Sequence, residues 1–346
     1  MLRRRGSWTL AALTAILGWG ASCMAEDVGS IRVGIVGLDA HAALWAEAIN
    51  NPKADPAIRV MKIVAAVPSY SPDIPFSVQN VKVGLEAMHK AGVEMVPTVE
   101  ALLPKVDAVM ILSIDGRTRW KEAAPVFAAH KRVYIDKPVA ASLVDIVRIA
   151  KLSERTGTPW FSNSALRYAP HTVDVVAKAP VGRILGCDAY SSNSPLEPHH
   201  PDLFYYGIHG CETLFGIMGT GCETVQRVRT PTADLVVGVW QGGRLGTYRG
   251  ILQGKVGYGA TVFGEKGIAQ VGKFEGYEPL LRRIAEFFKT GKTPVDVKTI
   301  LEVYAFLEAA DESKRQSGAP VSLQSVLEKA EKAAEASPIP AADAGR

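Results

Sequence analysis

Short apolar, β-branched runs alternate with helical patterns through the first half of the chain. Five of them have the length and composition of buried strands, at residues 31–36, 60–67, 108–112, 133–135 and 160–162. Helical periodicity covers residues 119–130 and 143–156, and Gly157 is placed to end the second of these helices. Buried strands that alternate with helices are typical of βαβ units. We therefore predict a Rossmann domain, a doubly wound parallel sheet, at residues 31–163.

After Pro170 the pattern changes, because predicted strands now follow one another directly. They lie at residues 183–192, 223–230, 234–241, 244–252 and 257–263, with Gly242 and Gly243 as a hairpin turn. Helical patterns follow at residues 277–290 and 299–316. This predicts a second α/β domain at residues 164–323, with a mostly antiparallel open sheet. Residues 331–346 contain too few apolar side chains to fold alone, so we expect a disordered tail.

The amino terminus has the pattern of a secretory signal. Three arginines occupy positions 3–5, and no charged side chain follows until Glu26. We predict a signal peptide at residues 1–25 and a periplasmic or extracellular protein. An uncleaved membrane anchor is the alternative. Lipid attachment at Cys23 is another, although Gly20 stands where such signals prefer an aliphatic residue.

Composition and charge exclude several classes of function. With 346 residues and 47% apolar content, the chain is long enough for two domains. Removing the three arginines of residues 1–25 lowers the formal charge from +4 to +1, and nothing then favours nucleic-acid binding. The remaining cysteines, Cys187, Cys211 and Cys222, are odd in number and lack C-x-x-C spacing. A disulfide framework is therefore not expected, although a single bridge remains open.

Two segments carry the candidate chemistry. The pentapeptide YIDKP, residues 134–138, places Lys137 at the carboxyl end of a strand, where open α/β sheets bind ligands. Pro138 cannot join a sheet ladder and ends the strand. Downstream, LFYYGIHGCETLFGIMG at residues 203–219 places His209 and Glu212 at helical spacing within an apolar segment.

Together these segments resemble the Gfo/Idh/MocA family of NAD(P)-dependent sugar oxidoreductases, which carries a Glu-Lys-Pro triplet and a later Asp-x-Gly-x-His-x-x-Asp helix. The resemblance extends to SALRYAP at residues 164–170, to a hairpin segment at residues 262–271 and to the closing residues 301–323. It implies NAD or NADP as cofactor and a small carbohydrate as substrate. It also implies a homo-oligomer, because the exposed face of the second sheet commonly forms dimers in the family.

The resemblance assigns catalytic roles to three residues. Lys137 would hold the reacting hydroxyl, His209 would act as acid or base, and Tyr205 stands where the family has an aspartate. Hydride leaving a carbinol carbon needs a base near the hydroxyl, and a lysine beside a cationic ring can have its pKa lowered toward neutrality. The structural alternatives are a surface lysine at a strand end for Lys137 and a core histidine bonded to a backbone carbonyl for His209.

The dinucleotide-binding turn departs from the family pattern. Its three glycine positions hold Gly37, Asp39 and Ala42. A carboxylate at the second position would crowd and repel the phosphates. Asp39 is therefore also a candidate N-cap for a helix at residues 40–50, and His41 is predicted to be a surface residue of that helix. The residues that the resemblance places at the cofactor are Gly37, Asp39, Ala42, Ser69, Ser113, Asp136 and Pro138.

Further candidates surround this set. Arg117 and Arg119 would contact a phosphate or an acidic sugar, or would be solvated residues at a helix start. The substrate candidates are Arg167, Tyr168, His200 and Glu212. A metal site formed by His199, His200, His209 and Glu212 is not expected, because the spacing fits no zinc pattern.

Three functions remain open. The first is an exported sugar or polyol oxidoreductase that transfers hydride between a carbinol and nicotinamide. The second is redox-assisted glycoside cleavage with a recycled NAD, which suits a compartment without an NAD supply. The third is a cofactor-free carbohydrate-binding or assembly protein, which the altered turn at Asp39 favours and which Lys137 and His209 disfavour.

Overall fold

A computed structural model describes residues 30–193 and 200–337 of the protein. The predicted signal peptide, with its Cys23 alternative, lies outside the described residues. So do His199 and the last nine positions of the predicted tail. Among the described residues, no helix is long and apolar enough to cross a membrane.

A six-stranded parallel sheet forms the first domain. Its order is β3-β2-β1-β4-β5-β6, so the direction of winding reverses between β1 and β4. The strands are β1 Ile31–Val36, β2 Met61–Val67, β3 Glu94–Met95, β4 Ala108–Ile111, β5 Arg132–Ile135 and β6 Trp160–Phe161. The helices are α1 Ala42–Asn50, α2 Pro75–Lys90, α3 Val99–Leu102, α4 Arg119–Ala128 and α5 Leu143–Thr156.

The five predicted strands of this domain are confirmed to within one residue at each end. Their β-branched residues are buried on both faces, as in a sheet covered by helices on both sides. The second predicted helix ends at Gly157 with φ of +64°. The sequence did not indicate β3 or α2, whose patterns are short or weakly apolar.

The second domain contains a seven-stranded sheet of order β12-β11-β7-β10-β9-β8-β13. Its strands are β7 Ile184–Ser192, β8 Cys222–Arg229, β9 Ala233–Trp240, β10 Arg244–Ile251, β11 Gly259–Gly264, β12 Gly267–Val271 and β13 Val321–Ser322. All neighbours pair antiparallel except β10 and β7. The Gly242–Gly243 turn has φ of +76° at both residues, which explains the two glycines. The predicted fold class is confirmed.

The helices of the second domain are α6 Pro170–Ala177, α7 Gly207–Met218, α8 Glu278–Thr290, α9 Val297–Arg315 and α10 Leu323–Ala336. Residues 331–336 were expected in the disordered tail, and this was wrong because they form the end of α10. Val326, Ala330 and Ala334 recur every four residues and are buried where α10 packs on α5 and α9. The tail is helical there because it covers a face supplied by other helices.

Two contacts position helix α7 and helix α9 against the Rossmann domain. Helix α7 packs on β7 and β10 and also touches the 3₁₀ turn Ala165–Tyr168, which follows the last Rossmann strand. On the other side, the Tyr304 hydroxyl of α9 accepts a hydrogen bond of 2.8 Å from the amide of Val139. The start of α7 is thereby held against the carboxyl ends of the Rossmann strands.

Candidate active site

Lys137 lies two residues beyond the end of β5, at the carboxyl edge of the sheet. Its side chain is largely buried, and Nζ lies 5.1 Å from the centre of the Tyr206 ring and 5.7 Å from that of Tyr205. Burial lowers the pKa of Lys137, and the nearby Arg119 cation adds to the effect while Asp136 opposes it. A lysine in this setting gives up a proton more readily than one in water.

His209 lies in the first turn of α7. Its Nδ1 shares a hydrogen bond of 2.7 Å with Ser164 Oγ, which fixes the orientation of the ring. Burial lowers the pKa of His209 well below its usual value, and the neighbouring Lys137 and His41 lower it further. The imidazole is therefore neutral near pH 7, and Nε2 remains as its second ring nitrogen.

His41 was predicted to be a surface residue of α1, and this was wrong. It occupies the N-cap position of α1, makes no side-chain cap, and shares a hydrogen bond of 2.6 Å between Nδ1 and Asp136 Oδ2. Its ring stacks on Trp45 at 5.2 Å between centroids. Burial pushes the pKa of Asp136 upward, but His41, Lys137 and Arg119 together hold it below its usual value. Sequence spacing gave no indication of this pair, because its members are 95 residues apart.

A cavity of about 190 Å³ lies between the domains, and we call it the interdomain cavity. Its polar lining comprises His41, Asp136, Lys137, Asn163, Ser164 and His209. Its aromatic lining comprises Trp45, Tyr206, Tyr258, Phe274 and Tyr277. Aromatic walls with a few convergent polar groups are typical of small-molecule sites.

Lys137 and His209 thus line one space, whereas Tyr205 does not. Tyr205 is buried beneath the cavity, with its ring 5.7 Å from that of His200 and 5.3 Å from that of Tyr206. The adjacent Tyr206 reaches the cavity instead. Only the course of the chain into α7 decides which of two consecutive tyrosines faces the site.

None of the four substrate candidates lies in the lining of the cavity. Glu212 pairs with Arg167 at 3.0 Å and accepts a hydrogen bond of 3.0 Å from Asn163, which does line the cavity. The Tyr168 hydroxyl donates to Asn163 Oδ1 at 2.6 Å. His200 lies elsewhere, accepting a hydrogen bond of 2.9 Å from the amide of Gly116. Three of the four therefore hold Asn163 in place.

The turn between β1 and α1 is the expected dinucleotide site. Gly37 has φ of +88°, and a Cβ there would lie 2.3 Å from the Ser113 amide nitrogen, so only glycine fits. Asp39 is fully buried; it accepts hydrogen bonds from Ser77 Oγ at 2.5 Å and from the Ile114 amide at 2.9 Å. The prediction that Asp39 caps α1 was wrong. Burial raises its pKa to about 6, against these hydrogen bonds.

The other cofactor candidates in this region are buried or hydrogen-bonded to protein groups. Ser69 Oγ and Ser113 Oγ donate to the two carboxylate oxygens of Glu122, at 2.6 and 2.5 Å. Ala42 and Pro138 are buried. The β1–α1 turn and the loops after β2 and β4 line the cleft in which a Rossmann domain binds a dinucleotide. The residues of this cleft do not fit a dinucleotide, because the side chains that would contact it are bonded to one another.

Both arginines of this region bond acceptors of the protein. Arg119 is fully buried and donates to the backbone carbonyls of Ile111, Ser113 and Asp136, so the expectation of a solvated residue was wrong for it. Arg117 is partly exposed and pairs with Asp115 at 2.7 Å and with Asp73 at 2.9 Å. A contact of Arg117 with a phosphate or an acidic sugar stays a prediction.

Comparison with known proteins gives a consistent family and fold. Residues 31–164 match the Gfo/Idh/MocA family, described as an oxidoreductase family with an NAD-binding Rossmann fold. No curated protein matches the chain significantly. Solved structures match over both domains, at identities that establish the fold alone.

Three of these structures illustrate the likeness. One is a candidate NADPH-dependent oxidoreductase of Desulfitobacterium hafniense, with 17% identity, TM-score 0.70, and coverage of 86% of this chain and 99% of that one. Another is myo-inositol dehydrogenase of Lactobacillus casei in complex with NAD(H) and myo-inositol, with 14% identity, TM-score 0.69, and coverage of 85% and 97%. The third is scyllo-inositol dehydrogenase of the same organism with NAD(H) and scyllo-inositol, with 14% identity, TM-score 0.67, and coverage of 86% and 100%.

The Rossmann domain that carries the match also supplies Lys137, and the second domain, which supplies His209, has the fold of these dehydrogenases. Residues 31–164 therefore match the Gfo/Idh/MocA family of oxidoreductases with an NAD-binding Rossmann fold, and both domains have the fold of these solved structures.

Proposed function

We propose that the protein acts on a hydroxyl group of a sugar or polyol held in the interdomain cavity. The observation that carries the proposal is that Lys137 and His209 line the same cavity, each with a pKa lowered by burial. A neutral imidazole and an amine in one cavity can accept a hydrogen bond from a hydroxyl group and donate one to its oxygen.

The polar residues of the cavity contact different parts of a bound hydroxyl compound. The Lys137 ammonium donates a hydrogen bond to the oxygen of the bound hydroxyl. Nε2 of the neutral His209 accepts a hydrogen bond from the same hydroxyl, and Ser164 keeps the ring in position. The His41–Asp136 pair supplies a second polar contact on the Rossmann side. Asn163, held by Glu212 and Tyr168, offers an amide to another hydroxyl.

The class of ligand follows from the shape and chemistry of the cavity. About 190 Å³ accommodates a single sugar or polyol ring rather than an oligosaccharide. Five aromatic side chains provide apolar contact, and the polar groups are spread around the lining as a polyhydroxylated ring requires. The structures of similar fold that contain myo-inositol and scyllo-inositol agree with this choice for their own proteins.

Binding calorimetry with myo-inositol, scyllo-inositol and a panel of hexoses tests the proposal. At least one compound should bind the wild type, and Lys137→Ala and His209→Ala should weaken that binding or abolish its turnover. Lys178→Ala is the matched control, since this exposed lysine pairs only with Asp174 on the surface of α6. The proposal is wrong if no compound binds, or if both cavity variants behave like the control.

The two redox functions need a dinucleotide within reach of this cavity. Hydride transfer and redox-assisted glycoside cleavage therefore require the cleft of the Rossmann domain to open for a dinucleotide. Contact of a hydroxyl group with Lys137 and His209 does not require it. If a compound binds but is not converted, the protein is the carbohydrate-binding protein of the third hypothesis. Product analysis by mass spectrometry after incubation distinguishes these outcomes.

Export and self-association remain proposals that rest on the sequence and the family resemblance. Intact mass from a bacterial host should show a chain that begins near Glu26. A chain that retains residues 1–25, or that carries a lipid on Cys23, would contradict cleavage at this point. Light scattering on the mature protein tests for a homo-oligomer.

A further inference from the structure

The carboxyl edge of the Rossmann sheet is closed by side chains of the protein itself. Dinucleotides bind across this edge where the strand order reverses, which here is between β1 and β4. Three segments surround that point: the β1–α1 turn at residues 37–41, the loop after β2 at residues 68–74, and the loop after β4 at residues 112–118. Hydrogen bonds link all three to one another.

The β1–α1 turn is tied to both other segments. Asp39 is bonded to Ile114 in the loop after β4 and to Ser77 in the first turn of α2. The Leu38 amide donates to the carbonyl of Ser69 at 3.2 Å, and the Gly37 amide donates to that of Val67 at 3.1 Å. These two bonds continue the pairing of β1 with β2 into the turn. Asp39, at the position where the backbone of a Rossmann turn approaches a pyrophosphate, is thereby held against the neighbouring loops.

The two remaining loops are bridged directly across the cleft. Ser71 Oγ donates to Asp115 at 2.6 Å, and Arg117 joins Asp115 to Asp73. Glu122 holds Ser69 on one side and Ser113 on the other. Ser71, Asp115 and Glu122 are buried, whereas the pair of Arg117 with Asp73 closes the cleft at the surface.

The charge of this layer also opposes a dinucleotide. Asp39, Asp115 and Glu122 bring three carboxyl groups to the space where two phosphates would lie, and like charges repel strongly at short range away from water. The cations nearby, Arg117 and Arg119, are already bonded to protein acceptors.

From this geometry we infer that the protein does not hold NAD or NADP at the carboxyl edge of its Rossmann sheet. The cleft lock, defined as Asp39, Ser69, Ser71, Ser77, Ser113, Asp115 and Glu122, replaces the cofactor with hydrogen bonds inside the protein. The inference does not rest on the ligand proposed for the cavity, and it separates the chain from the NAD-binding chemistry of its family.

The first test uses the wild-type protein. Denaturation followed by chromatography should release no dinucleotide, and calorimetric titration with NAD, NADH, NADP and NADPH should show no binding up to about 1 mM. One equivalent of released dinucleotide, or a micromolar Kd, would overturn the inference. Sugar binding to the cavity is measured separately, so failure of one proposal is distinguishable from failure of the other.

The second test opens the lock. Asp39→Gly/Ser71→Ala/Glu122→Ala removes one partner from each group of bridges and restores glycine to the second position of the turn. A folded variant should gain at least tenfold in affinity for NAD over the wild type. The matched control Asp188→Ala/Thr247→Ala breaks a surface hydrogen bond of the second sheet and should gain nothing.

If the triple variant is folded and still does not bind NAD, the cleft lock is not what excludes the dinucleotide. Should that variant not fold, hydrogen exchange on the wild type gives the answer. Amides 37–41 and 69–77 should show the same exchange with and without 5 mM NAD, a concentration chosen as about fivefold above the titration range. Added protection in these segments would overturn the inference.

Discussion

The cleft and the interdomain cavity both lie at the carboxyl edge of the same parallel sheet, yet their polar groups are used differently. In the cleft, Asp39, Glu122 and Asp115 are each satisfied by hydrogen bonds from serines or backbone amides of the same chain. In the cavity, Lys137 faces aromatic rings and His209 keeps one ring nitrogen for the open space. A residue bonded within the fold contributes to stability, whereas one facing a void is available for a ligand.

This contrast predicts that substitutions in the cavity reduce ligand binding and that substitutions in the cleft reduce stability. Arg119 joins the two regions, because it donates to the carbonyls of Ser113 and Asp136. Variants that keep Arg119 are therefore used to compare the two regions.

The largest effect should come from His209→Ala. Loss of the acceptor at Nε2 leaves a bound hydroxyl without its partner in the cavity, which costs about 1–3 kcal/mol, or about 5–150-fold in affinity. The affinity for the compound identified in the binding panel should fall by this amount, while the melting temperature stays near that of the wild type. A variant that unfolds at low temperature but keeps its affinity for the compound would reverse the contrast between cavity and cleft.

Asp39→Ala should destabilise the protein without affecting the cavity. The substitution leaves the Ile114 amide and the Ser77 hydroxyl without their acceptor in a buried site, which costs about 1–3 kcal/mol. Urea denaturation measures the change in the free energy of unfolding. Asp39→Asn is the control, since its side-chain oxygen still accepts from Ile114, and it should lose less. An equal loss in both variants would argue against the hydrogen bonds as the cause.

The same carboxyl group should make stability depend on pH. The pKa of Asp39 is about 6 in the folded protein and 3.8 in the reference state, so the folded state binds the proton more tightly. The contribution of Asp39 is therefore fully present below about pH 4 and is lost as the pH rises to about 6. Its size is between about 1 and 3 kcal/mol.

Urea denaturation between pH 4 and 7 isolates this contribution when the wild type is compared with Asp39→Asn. Asp311 also has a pKa raised to about 6 by burial, but it is present in both proteins and cancels in the difference. A difference between the two proteins that does not change with pH would show that Asp39 is ionised throughout this range.

The smallest effects should come from single hydroxyl groups. Ser69→Ala removes one hydrogen bond to Glu122 and should lower the free energy of unfolding by about 0.5–1.5 kcal/mol, with ligand affinity unchanged. Tyr206→Phe should do the opposite, lowering affinity by at most about tenfold with stability unchanged. Urea denaturation and binding calorimetry on both variants measure whether stability and ligand affinity change separately.

Much of the fold follows from the sequence because its determinants are local. The β-branched runs specify the Rossmann strands to within a residue, and Gly157 and the Gly242–Gly243 pair identify a helix end and a hairpin. The tail illustrates the limit, because residues 331–336 are part of α10, which packs on α5 and α9. Helix α5 belongs to the first domain and is far away in the chain, so local composition did not indicate this packing.

The site divides in the same way. By itself the sequence determined the family resemblance of the Rossmann domain, the position of Lys137 at a strand end, and the presence of His209 on a helix, because each depends on a short motif. Only the tertiary structure decided that His41 pairs with Asp136, that Tyr206 rather than Tyr205 reaches the cavity, and that Asp39 bonds Ser77 and Ile114. These outcomes depend on the winding of the sheet, which brings together side chains far apart in the chain and sets which of them meet a partner and which meet open space.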